Sequence, residues 1–169
     1  MASEQVDLGP VQQLAARALG PPGRRTFRLV AASRVGTAWL WLEKEELQVL
    51  GMTIEQLLGQ LPLDPALVAA TVSREEAAAP DVPEERPAIE FRVGRLSMGY
   101  EERSDLFVLM AHADDADPDG PPTFRCEASR RQLRTLARQI AAICAAGRPR
   151  CPLCGVPLET PKHPCPRLN

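Results

Sequence analysis

Hydrophobic positions along this chain recur with two distinct periods. In Thr26–Ala32 and Thr37–Leu42 they alternate: Phe27 and Leu29 point one way, and Trp39 and Trp41 share a face opposite Leu40 and Leu42. With Ser33-Arg34-Val35-Gly36 between the two runs, this predicts a β-hairpin. From Glu43 the spacing lengthens to steps of three and four through Leu47, Leu50, Ile54, Leu57, Leu58 and Leu61. That pattern predicts an amphipathic helix, with Glu43, Glu45 and Glu46 in its first turn where the helix dipole favours anions. Gly51 is placed to break it, because Thr53 and Gln56 suit a capping box for a second short helix. Near the start, Val11, Leu14, Ala15, Ala18 and Leu19 have helical spacing and end at the turn cluster Gly20-Pro21-Pro22-Gly23.

Alternation returns in Ile89–Val93 and continues through Leu96 and Met98 to Tyr100. The polar turn Glu101–Ser104 leads into Asp105–Ala111, a second hairpin, and Thr123–Glu127 adds a third strand. The helix that follows is well marked. Ser129 and Gln132 suit a capping box, and Leu133, Leu136, Ala137, Ile140, Ile143 and Cys144 form one apolar stripe. Gly147 stands where a left-handed cap belongs, and Pro149 stops continuation. The predicted class is α+β, two antiparallel strand-then-helix halves, because hairpin-length turns cannot make parallel crossovers. Residues 1–147 read as one domain, with a flexible connection at about 62–88 that holds five prolines; Leu63 to Val72 suits a helical turn or two. Residues 148–169 read as a separate tail.

Composition narrows the function classes. The chain has 169 residues, 44% apolar and 25% charged, as an ordinary globular domain does. A formal charge of −2 gives no overall attraction to nucleic acid or anionic membrane. No run approaches a membrane span, and no basic segment followed by an apolar one opens the chain, so a cytoplasmic location without membrane contact is expected. Five cysteines, three of them near the end, do not form a secreted disulfide framework.

The tail carries the chemistry. Cys151-Pro152-Leu153-Cys154-Gly155 is a Cys-x-x-Cys turn whose backbone N–H groups can face the sulfurs, with a glycine free to take the positive φ that closes the knuckle. His163 and Cys165 complete a Cys₃His set. Four protein ligands leave no open position on a tetrahedral zinc, so the expected cofactor is structural zinc. A proline-rich tail cannot build its own core, and ligation would replace burial. The competing readings are a redox Cys-x-x-Cys, disfavoured because Gly155-Val156-Pro157 follows where a helix should start, and a disordered tail with incidental cysteines.

Arg130, Arg131, Arg134 and Arg138 lie on the polar side of the last helix, and Arg150 extends the positive charge into the tail. Residues 147–169 carry net +3 and the rest of the chain −5. These arginines are candidates for a phosphate-bearing or acidic partner, against the plainer reading of a solvated helix face. Asp115, Asp117 and Asp119 open like a calcium loop, but the glutamate that should close it falls one residue late at Glu127, so an acidic turn is expected. His112 reads as structural, and Cys126 and Cys144 as small hydrophobes. No phosphate loop, dinucleotide fingerprint, nucleophile elbow or zincin helix is present.

The Gly20-x-Pro22-Gly23-x-Arg25-Thr26-Phe27-x-Leu29 opening, the Leu42-Glu43-Lys44-Glu45 helix start, Phe91-Arg92-Val93-Gly94 leading to Met98-Gly99-Tyr100, and Ala128-Ser129-Arg130-x-Gln132-Leu133-Arg134 accompany the Cys-Pro-x-Cys-Gly to His-x-Cys-Pro-Arg-x-Asn ending. Together they resemble an uncharacterised bacterial family known only as a domain of unknown function. The resemblance implies a strand over Leu14 to Leu19, against the helical spacing. Lys162, where the family usually has glycine, and the terminus at Asn169 depart from it; the ligand positions match. It also implies, by gene neighbourhood alone, a link to phosphoinositide-kinase-like and histidine-phosphatase-like proteins. The expectation is a non-catalytic zinc-binding interaction or adaptor protein with an unidentified protein partner. The alternatives are an enzyme of unrecognised type acting on a phosphorylated substrate, and a nucleic-acid binder using the basic C-terminal helix and tail.

Overall fold

The computed structural model describes residues 5–62, 86–147, 151–156, 158 and 163–167. The helical turns expected over 63–72, most of the 62–88 connection and Arg150 lie outside them. The elements run β1 (Val6–Pro10), β2 (Gln13–Leu19), β3 (Thr26–Ala32), β4 (Thr37–Leu42), α1 (Lys44–Gln60), β5 (Ile89–Glu101), β6 (Leu106–Ala113), β7 (Phe124–Ser129) and α2 (Arg130–Ala145). The strands form one sheet in the order β1-β7-β6-β5-β4-β3-β2. The α+β class is as expected. Within each half the pairing is antiparallel, β2-β3-β4 and β5-β6-β7. The halves join through a parallel β4–β5 pair, since the chain passes through α1 between them.

The helical expectation for residues 11–19 is overturned. They form β2 and the link before it, and Gln13 to Leu19 pair residue by residue with Ala32 to Thr26. The reason is burial on both faces: Leu14, Ala15 and Ala16 are all covered, so the apolar run has no solvent side from which a period could be read. The strand implied by the family resemblance is what forms.

β1 and β2 stand at opposite ends of the strand order, yet only two residues separate them. Val11 N–H donates to the Glu127 carbonyl of β7, and the next residue, Gln12, donates to the Ala32 carbonyl of β3, at 2.9 and 2.8 Å. Consecutive Cα atoms are about 3.8 Å apart, so the sheet must curl until its two edges meet at this corner. The Gln132 side chain of α2 fixes the corner by donating to the Val11 carbonyl at 2.7 Å.

One face of the sheet holds the core. Phe27, Leu29, Leu40, Phe107, Leu109 and Phe124 meet Leu47, Leu50 and Ile54 of α1 and Leu133, Leu136 and Ile140 of α2 in one buried cluster. In β5 the register shifts between Val93 and Arg95, which moves the inward side chains from Phe91 and Val93 to Leu96, Met98 and Tyr100 without losing the face. Gly94 permits this bulge, because a Cβ there would lie 2.7 Å from the Asp114 Cα. On the opposite face Arg28 lies 3.9 Å from the Trp39 ring centroid and 5.6 Å from that of Trp41, a cation held between two aromatic rings.

Two details of the helices correct the sequence reading. Gly51 does not interrupt α1, which is continuous; a Cβ there would lie 2.9 Å from Ile140 Cγ2 of α2, and the Thr53 hydroxyl bonds back to the Val49 carbonyl in place of capping a new helix. Gly147 is not a left-handed cap. α2 closes at Ala146, whose N–H donates to the Ala142 carbonyl and whose own carbonyl accepts from Arg25, while Gly147 makes room for the Lys44 ammonium. The start of α2 is as expected, with Ser129 and Gln132 reciprocally bonded.

Candidate metal centre

Cys151 opens a tight turn. Its N–H donates to the Val156 carbonyl and its carbonyl accepts from Gly155 N–H, both at 2.9 Å. Gly155 has φ +74°, the left-handed conformation expected from the sequence. The turn aims the backbone N–H groups of Cys154 and Leu153 at the Cys151 sulfur. A second, shorter turn at Pro166-Arg167 aims the Arg167 N–H at the Cys165 sulfur. The sequence reading missed this second turn, although Cys-Pro occurs in both segments and is the signal that marks it.

The two turns bring one ligand atom from each of Cys151, Cys154, His163 and Cys165 within 4.8 Å of one another. Cys151 Sγ and Cys165 Sγ are 3.8 Å apart, and Cys154 Sγ and His163 Nε2 are 3.5 Å apart. A tetrahedron with zinc bonds of about 2.3 Å to sulfur and about 2.05 Å to nitrogen has S···S edges of about 3.8 Å and S···N edges of about 3.6 Å. These two separations match edges of such a tetrahedron, so the cluster could hold a metal ion. The single residue between His163 and Cys165 does not prevent closure. Cys151 and Cys165 are buried, and Cys154 and His163 are half-buried.

The electrostatics favour thiolate at Cys151. The Cys154 N–H, then His163, then the Leu153 N–H pull Cys151 down to about 6, whereas Cys165 is raised by burial and by the neighbouring thiols despite the Arg167 N–H. Elsewhere, burial pushes Cys126 up to about 12, and burial also raises Cys144. In metal-stripped, reduced protein, iodoacetamide should modify the released Cys151 well before Cys126, which is buried and pushed up to about 12. Cys126 should stay unmodified until the domain unfolds. Peptide mapping over a time course checks this, and modification of Cys126 as fast as that of Cys151 would contradict it.

The other sequence candidates are placed as follows. Arg130 spends its donors inside the fold, on the Asp105 carboxylate at 2.8 Å, the Pro62 carbonyl at 2.7 Å and the Tyr100 hydroxyl at 3.1 Å, tying the exit of α1 to the β5–β6 turn. Arg134 is half-buried, Arg131 and Arg138 are exposed, and none of these arginines joins the cysteine cluster. His112 is buried, its Nε2 3.1 Å from Arg95 and 3.2 Å from the Gly120 carbonyl. Asp117 caps its own turn through the N–H of Asp119. The aspartates gather no metal-binding group among the described residues.

The arrangement defines a class: an α+β domain, its sheet curled around one core, followed by a compact Cys₃His segment that could hold a metal ion. The model of the family described as Protein of unknown function (DUF3090) matches residues 7–165, and the chain belongs to that family. No curated protein and no solved structure matches it significantly. Among the described residues no helix is long and apolar enough to cross a membrane.

Proposed function

We propose that this chain is a non-catalytic interaction protein whose C-terminal segment is shaped by a structural zinc ion bound through Cys151, Cys154, His163 and Cys165. The supporting observation is the cluster of four ligand atoms, all within 4.8 Å of one another, in which the Cys151–Cys165 and Cys154–His163 separations match tetrahedral edges. Three thiols and an imidazole suit zinc, and a filled tetrahedron has no site at which to activate water. The ion's role is to fix the shape of a segment that exposes Leu153 and Val156.

Metal analysis of protein purified without added zinc tests the reading. About one zinc per chain is expected in the wild type and a negligible amount in Cys154→Ser. Negligible metal in both, or equal metal in both, would end the proposal. The interaction role is tested by recovering partners with the intact chain and with one ending at Gly147; a partner retained only by the intact chain supports it.

A further inference from the structure

β2 is the last strand in the order, and pleating turns the backbone groups of Leu14, Ala16 and Ala18 toward its free side. The direction is fixed by Ala16, whose N–H donates at 3.1 Å to the Gln139 side-chain oxygen of α2. A glutamine amide is chemically a peptide unit, so Gln139 stands where one peptide unit of a further strand would stand. It does so imperfectly: Gln139 is 6% exposed and its Nε2 is buried without any partner. A buried amide N–H left without a partner is destabilising.

Beyond Gln139 the space between the β2 edge and α2 remains open as a groove of about 440 Å³. Ala16, Ala18, Ala142 and Ile143 form its apolar lining, and Arg25 stands at its end, donating to the Ala146 carbonyl. The lining includes two arginines and no carboxylate. Arg25 forms no ion pair with any described residue. An unpaired strand edge beside a helix is the geometry of strand addition, in which main-chain hydrogen bonds supply affinity and the helix wall selects side chains.

We propose that this groove takes an extended acidic peptide segment as an additional strand on β2. The peptide's backbone pairs with Ala16 and Ala18, its small or β-branched side chains rest on Ala142 and Ile143, and a carboxylate meets Arg25. Gln139 is the occupant's placeholder. This interaction surface lies on the domain, apart from the tail proposed to be shaped by zinc. It does not depend on zinc, so metal content and peptide binding fail separately.

The probe is an acetylated peptide of alternating valine and glutamate, titrated into the full-length, zinc-replete chain with amide NMR as the readout. Saturable shifts of the Ala16 and Ala18 amides and of the Gln139 side-chain amide are expected. Binding should weaken by at least about tenfold when alternate peptide nitrogens of the probe are methylated, since each lost backbone bond is worth about 1 kcal/mol. Ala142→Glu, at an exposed helix position, should weaken it similarly through like charge while leaving thermal unfolding unchanged. Absence of shifts up to about 1 mM peptide, or indifference to both methylation and Ala142→Glu, overturns the proposal. So do equal shifts from acetate or inorganic phosphate alone, which mark a small-anion site. Shifts of these amides that follow protein concentration without peptide mark pairing between two copies and also overturn it.

Discussion

Stripping the metal is expected to abolish amide protection throughout residues 151–167 while leaving the thermal unfolding of the α+β domain where it was. The segment has little else to hold it. Leu153 and Val156 are 46% and 49% exposed, and no described residue of the tail joins the domain's apolar cluster. Among its described residues, regular backbone bonding is the pair between Cys151 and Gly155 or Val156. Two such bonds contribute about 2 kcal/mol, less than the cost of ordering even a few residues at about 1–2 kcal/mol each. Structural zinc in small Cys/His modules is worth an apparent 10–16 kcal/mol or so at neutral pH, a value that falls as pH falls because the ligands must lose their protons. Were the cluster to hold zinc as proposed, metal binding would supply most of the tail's stability and almost none of the domain's. Hydrogen exchange with and without chelator, beside calorimetry of both samples, checks this, and Cys165→Ser should reproduce the chelated state. Protection that survives complete metal removal, or a domain that melts earlier along with the tail, would show that the two share a folding unit.

The second large effect lies where the helices touch. Ile140→Ala should destabilise the domain by about 2–5 kcal/mol, because it deletes a fully packed side chain between α1, α2 and the sheet. Gly51→Ala should also destabilise. A Cβ at Gly51 would sit 2.9 Å from Ile140 Cγ2, and overpacking of about 1–3 kcal/mol outweighs the roughly 1 kcal/mol that alanine gains in helix propensity. Together the two substitutions should cost less than their sum, since the alanine methyl at position 51 occupies space that Ile140 vacates. Denaturant unfolding of the four chains measures the coupling. Strict additivity would mean that the helices are set apart by something other than this contact.

The chain's periodicity discloses what faces one solvent layer and conceals what does not. α1 and α2 each bury one stripe, so Leu47 to Ile54 and Leu133 to Ile140 announce them. β3–β4 and β5–β6 are hairpins whose turns are written locally, at Ser33–Gly36 and Glu101–Asp105. The β5 bulge leaves a trace in the change from odd to even apolar positions across Gly94, legible once the register is known. β2 leaves no such trace, because its small residues are covered from both sides and its spacing fits a helix by accident. The cluster of Cys151, Cys154, His163 and Cys165 was readable because residue type and short spacing bring such side chains together with little help from the rest of the fold. Gln139 was not readable. A glutamine on a helical stripe acquires its meaning from a strand edge 123 residues away in sequence.

The corner at Val11 and Gln12 bears on how the chain reaches this structure. β1, which precedes the other strands of this sheet in the chain, pairs in parallel with β7, which follows them, Val6 against Phe124 and Asp7 against Arg125. While the middle of the chain is being synthesised, β1 has no partner, and β2 must wait for β3 to turn back beside it. Contacts this distant in sequence carry a large loop-closure cost and form late. The nascent first half, β2-β3-β4-α1, therefore presents an unpaired β4 edge and an uncovered apolar face until β5 to α2 arrive. That interval is where the protein is most exposed to misassembly, and where assistance during synthesis would have its greatest effect.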